Sequence, residues 1–114
     1  MLALTSMEKV LFAAGAFAVL TGGSLLFGQE GAVGKGRDVF DINCAVCHKT
    51  DTTEKKIGPG LKGLFKHETM QNGKKPTEEN VRALINDGAT PMPSFRDSLS
   101  DEDKSNLIAY LKTL

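Results

Sequence analysis

The hydrophobic pattern divides the chain into two unlike parts. From Val10 to Gln29 there is no charged residue, and the run VLFAAGAFAVLTGGSLLFG is apolar or small throughout. About 19 such residues, at roughly 1.5 Å each, reach close to 28 Å as a helix, near the thickness of a bilayer's hydrocarbon layer. Beyond it the period becomes that of short amphipathic helices. Val39, Phe40, Cys44 and Cys47 recur at three- and four-residue steps, which predicts a helix over residues 35–47. Thr77 precedes Glu78 and Glu79 at a helix start whose acidic first turn suits the dipole, with Val81, Leu84 and Ile85 inward and Gly88 as the stop. Ser100 and Asp103 repeat that start, followed by the apolar stripe Leu107, Ile108, Tyr110, Leu111 and Leu114. Between them, residues 57–65 hold three glycines and a proline and read as irregular loop. Neither strand alternation nor a repeat appears, so the expected class is all-α, with three or four short helices joined by long loops.

Two domains of the chain are expected: an N-terminal membrane anchor over residues 1–30 and a folded domain over residues 31–114. A cleaved secretory signal is the alternative for the first. Cleavage after Ser24 would place Gly22 and Ser24 at the small-residue positions but leave Leu25, Leu26 and Phe27 exposed. A buried soluble helix is a third reading. Residues Gly28 to Gly34 read as a flexible tether of about seven residues with a reach near 15 Å. The folded part, about 84 residues, is of a size at which one apolar core is marginal and long loops are unusual unless they wrap something.

Composition and charge narrow the classes. The 114 residues carry 14 basic and 14 acidic side chains. That balance gives no field to hold nucleic acid, and two cysteines make no disulfide scaffold. Charge is nonetheless uneven. Residues 31–75 hold nine Lys or Arg against five Asp or Glu, and residues 76–114 hold four against seven. Lys49, Lys55, Lys56, Lys62 and Lys66 are candidates for a basic face toward an acidic partner, beside the plainer reading of solvated lysines.

The chemistry lies in Cys44-Ala45-Val46-Cys47-His48. C-x-x-C-H is the attachment pattern of c-type haem: two thiols at i and i+3 of a helix face the same way and add to the two vinyl groups of one porphyrin, and the adjacent histidine is delivered to the iron. A zinc site would need further ligands, and only His67 is left to add. A thioredoxin-like pair would want a preceding strand, and a disulfide across two residues is strained. For the second axial position the candidates are Met92, Met70 and His67. Met92 lies between Pro91 and Pro93, which stiffen its backbone, whereas Met70 and His67 sit in the polar stretch KHETMQNGKK.

Residues 34–114 resemble a class I, monohaem cytochrome c of the small bacterial type, here with a membrane anchor. Gly36 and Phe40, with Leu107 and Tyr110, match the family's crossing of N- and C-terminal helices. Ile57-Gly58-Pro59-Gly60-Leu61 is similar to the family's loop beside the proximal histidine, and Thr90-Pro91-Met92-Pro93-Ser94-Phe95 to its methionine loop. The resemblance implies a class I cytochrome c fold around one covalent haem c, bound through Cys44, Cys47, His48, Pro59 and Met92, with His48 and Met92 on the iron. The ring would be buried under Leu61, Leu64, Phe65, Phe95 and Leu111. Six filled iron positions leave no site for a substrate or for catalysis. The expected function is one-electron transfer, as a membrane-tethered carrier or a haem subunit of a respiratory or photosynthetic complex. The partner would be a quinol-oxidising complex, a terminal oxidase or a reaction centre in the same membrane, without nucleic acid or a small-molecule substrate. The alternatives are a soluble periplasmic carrier released by signal cleavage, and a haem enzyme or sensor whose methionine dissociates. Haem is joined to such thiols outside the bacterial cell membrane, so the domain is expected on the periplasmic or outer side.

Overall fold

A computed structural model describes residues 24–114, with side chains described from Gly28 onward. The described residues form three helices, α1 (Ser24–Asn43), α2 (Glu78–Asp87) and α3 (Asp101–Leu111), with a 3₁₀ turn at Leu64–Lys66. Among the described residues there is no strand, only an isolated antiparallel bridge between Ala89 and Met92.

The ends of α2 and α3 follow from their caps. The Thr77 hydroxyl accepts from Asn80 N at 3.1 Å, and the Ser100 hydroxyl accepts from Asp103 N at 3.0 Å, so each satisfies an otherwise unpaired amide of a first turn. Gly88, at φ 68°, ends α2 by donating to Leu84 O.

Helix α1 differs from the sequence expectation at both ends. It begins by Ser24 and runs unbroken through the segment read as a flexible tether. Three glycines there each disfavour helix by about 1 kcal/mol relative to alanine. Ala32 and Val33 are half-buried, however, and share a groove with Ile108 and Ala109 of α3. Tertiary packing of one helix face outweighs propensity. At the other end α1 stops at Asn43, so the cysteine pair lies in a turn beyond the helix and not on it. The anchor expected over residues 1–30 lies largely outside the described residues; among those described, no helix is long and apolar enough to cross a membrane.

The core is built where α1 crosses α3. Phe40, Leu107 and Ile108 are nearly sealed, and Val81, Ile85, Leu99 and Leu111 complete the cluster. The Phe40 and Tyr110 rings tilt together with centroids 5.5 Å apart. Gly36 permits the crossing: a Cβ there would lie 1.9 Å from the Asn106 carbonyl oxygen and 2.9 Å from Tyr110 Cβ. Gly36 and Phe40 on one helix and Leu107 and Tyr110 on the other thus meet at the crossing, where the Asn106 backbone lies closest to the glycine.

Candidate functional site

Cys44 and Cys47 carry free thiols in the tight turn that follows α1. Cys44 N bonds Phe40 O at 2.8 Å, continuing the helical pattern by one residue, after which Cys47 N and His48 N both donate to Cys44 O, at 3.1 and 3.0 Å. A bond across three residues tightens the chain toward 3₁₀ geometry, in which side chains at i and i+3 eclipse. The thiols are therefore brought together by a turn where the sequence had suggested a helix. Burial first, and the neighbouring Cys47 second, push the Cys44 thiol up to about 11. It is held neutral, so conversion to a thioether removes no charge from the site.

The next residue, His48, is fixed by the loop opposite. Its Nδ1 lies 2.8 Å from Pro59 O, and a carbonyl can only accept, so Nδ1 carries the proton and Nε2 keeps its lone pair. The loop is pinned alongside by Gly58 N to Cys47 O and Leu61 N to Lys49 O, both 2.8 Å. Gly58 lets the backbone approach the ring face: a Cβ there would meet His48 Cε1 at 2.5 Å and Nδ1 at 2.8 Å.

Met92, half-buried, is carried by the loop between α2 and α3. Met92 N donates to Ala89 O at 2.6 Å, and Phe95 N donates back to Ile85 O at 2.9 Å. The Ser94 hydroxyl donates to Asn86 O at 2.5 Å, and Arg96 pairs with Asp87. The other candidates for the second axial position are placed differently. His67 is exposed, with Nε2 3.0 Å from Lys62 O. Met70 packs against the core cluster in a turn closed by its own amide to Lys74 O at 2.8 Å.

Leu61, Leu64, Phe65, Met70 and Phe95 pack against the core yet stay half-exposed, while Leu111 is buried. Val46 and Ile57, beside Cys47 and Gly58, are exposed at 67% and 52%. A small domain that leaves so many apolar side chains half-covered around two free thiols and an oriented imidazole fits a large, flat, apolar group with a metal at its centre. The five candidate lysines, Lys49, Lys55, Lys56, Lys62 and Lys66, are all exposed, and Lys56 Nζ reaches Ala45 O at 3.4 Å.

Lys104 belongs to the surroundings of the site with little signature in the sequence. It is 4% exposed on the inner face of α3, and its Nζ donates to Arg96 O at 2.9 Å. Its position three and four residues before Leu107 and Ile108 was the available signal.

The chain is similar to known proteins over much of its length. Residues 31–111 match the family model described as cytochrome C oxidase, cbb3-type, subunit III. The chain is 34% identical over 76 residues to a cytochrome c6 of Leptolyngbya boryana, covering 67% of this chain and 85% of that protein. It is 33% identical over 91 residues to cytochrome c oxidase subunit 2 of Alkalihalophilus pseudofirmus, covering 75% of this chain but only 26% of that subunit. The crystal structure of cytochrome c6 from the diatom Phaeodactylum tricornutum superposes with a TM-score of 0.56 at 31% identity, over 71% of this chain and 91% of that one. The chain therefore spans most of a cytochrome c6 and about a quarter of the oxidase subunit.

Proposed function

The chain belongs to the cytochrome c family, with an all-helical class I fold and one covalently bound haem c, and on that premise we propose a His/Met-ligated one-electron carrier that works at a membrane. The haem supplies a metal that accepts and releases one electron. Cys44 and Cys47 would anchor it as thioethers from a single turn. His48 would present Nε2 to the iron, held in tautomer and orientation by the Pro59 carbonyl. Met92 would take the opposite position from a loop tied to α2, leaving no open coordination site for a substrate or O₂. Leu61, Leu64, Phe65 and Phe95 would exclude water from the ring; together with the thioether ligand this favours the reduced state and a high potential.

The observation that carries the reading is the joint geometry of the thiol turn and the His48 ring hydrogen-bonded to Pro59 O at 2.8 Å. Redox titration of the haem-loaded full chain should give a single one-electron wave, with no carbon monoxide adduct in the reduced state. Carbon monoxide binding at native pH would support instead the enzyme or sensor reading, in which Met92 leaves.

Residues 1–30 as a membrane anchor, with residues 31–114 as the haem domain on the outer side, are supported by the uncharged run from Val10 to Gln29. A membrane oxidase as the electron partner is supported by the family model and by the oxidase-subunit relative. A second reading, a soluble carrier, is favoured by the near full-length match to cytochrome c6. Fractionation of the full chain separates them: the anchored form stays in membranes washed with carbonate, and the soluble form leaves them.

A further inference from the structure

Helix α3 turns toward the core the face formed by Lys104, Leu107, Ile108 and Leu111, all buried. Three of the four are aliphatic. The fourth is a lysine at 4% exposure, the one charged residue among those described that is buried to this degree. An aliphatic side chain at 104 would complete the stripe without the cost of desolvating an ammonium. What lysine adds is a charge-assisted donor, and its Nζ reaches a single described partner, Arg96 O, at 2.9 Å.

That carbonyl lies on the Met92 loop, four residues beyond Met92. The loop's other described hydrogen bonds tie it to itself or to α2: Phe95 N to Ile85 O, Ser94 Oγ to Asn86 O, Arg96 to Asp87, and Leu99 N to Phe95 O. No backbone amide among the described residues donates to Arg96 O. The Lys104 bond thus joins the methionine loop to α3. Helix α3 is in turn locked against α1 at the Gly36–Asn106 crossing, and α1 runs directly into the Cys44–His48 turn. A continuous chain of contacts then sets the distance between the histidine side and the methionine side of the site.

We infer that Lys104 is a positioning residue that holds the Met92 loop closed through its bond to Arg96 O, and so keeps Met92 on the iron. The inference rests on the reading of Met92 as axial ligand. An external ligand reaches the iron only when the loop opens, so its apparent affinity is the intrinsic affinity scaled by the open fraction. Losing a charge-assisted hydrogen bond should raise that fraction about tenfold.

The test uses ferric, haem-loaded full chain and imidazole as the probe, with wild type, Lys104→Met and Met92→Ala titrated side by side, and thermal unfolding measured on each. Lys104→Met is expected to bind imidazole about tenfold more tightly than wild type while its unfolding temperature is unchanged or raised. Imidazole affinity within twofold of wild type, whatever happens to the unfolding temperature, overturns the inference and leaves Lys104 as packing. Met92→Ala, with the position open, sets the upper limit. If that variant binds imidazole no more tightly than wild type, the assignment of Met92 itself fails, independently of the Lys104 result. Should Lys104→Met not accumulate, Lys104→Leu, which keeps an apolar buried side chain and has no donor for Arg96 O, is judged by the same criterion.

Discussion

Replacing Gly36 by alanine tests the helix crossing on which the site is assembled. The new Cβ would stand 1.9 Å from the Asn106 carbonyl oxygen and 2.5 Å from its carbon, where ordinary contact begins at 3.4 Å. The obstacle is backbone of α3, which cannot rotate away as a side chain could. Helices α1 and α3 must separate, and they bury Phe40 to 2% and Leu107 and Ile108 to 1%. Overpacking of a close contact costs about 1–3 kcal/mol, and an unyielding backbone obstacle places this case at or above the upper end. Alanine returns about 1 kcal/mol of helix propensity. The net loss should be about 2 kcal/mol, or a fall of about 10 °C in unfolding temperature for a domain of this size. Gly34→Ala supplies the control on the same helix: nothing lies within 4 Å of its Cβ, so only the propensity gain of about 0.5–1 kcal/mol remains. Guanidinium unfolding of the ferric haem-loaded proteins, followed by far-ultraviolet circular dichroism, should move the two midpoints in opposite directions at constant slope. Equal midpoints for the two variants would refute the close crossing.

Two further outcomes follow from the site and its surroundings. Gly58→Ala places a Cβ 2.5 Å from His48 Cε1 and should break the ring's bond to Pro59 O; with a less electron-rich imidazole the ferric state is stabilised less, so potentiometry should show a raised midpoint, and an unchanged value would contradict it. Lys112, bonded to Glu78 Oε2 at 2.7 Å, holds that carboxyl below its usual range through the hydrogen bond and then its charge. A depressed carboxylate stabilises the fold above its unfolded value of 4.5 and loses that contribution as pH falls through the lower folded value. Glu78→Gln should therefore be slightly less stable than wild type at neutral pH, within about 0.5 kcal/mol for so exposed a pair. The difference should vanish in strong acid, and a gap that widens there would contradict the pairing.

Local chemistry was readable from the sequence wherever one residue dictates the outcome. Thr77 and Ser100 specify their own helix starts by side-chain capping, and Gly88 ends α2 because its left-handed backbone disfavours a Cβ. The histidine–proline bond could be anticipated as far as the resemblance sets the Pro59 loop beside the proximal histidine. What depended on the assembled fold was hidden. The helix through Gly28, Gly31 and Gly34 contradicts propensity and exists because Ala32 and Val33 find Ile108 and Ala109 of α3, 76 positions later in the sequence but adjacent in space. The end of α1 at Asn43 could not be seen because a 3₁₀ turn and a helix place i and i+3 alike. Lys104 was overlooked since a lysine in a stripe reads as solvated until its partner, a backbone carbonyl with no sequence signature, is located.

In the proposed carrier, Met92 would complete the iron's coordination opposite His48. The long-wavelength absorption of the ferric protein, where a methionine-to-iron charge-transfer band appears, tests it most directly when wild type is set beside Met92→Ala. The band should be present in wild type and lost in the variant, with the haem still attached because Cys44 and Cys47 would hold it independently. A band that survives the substitution, or is missing from wild type, would contradict it.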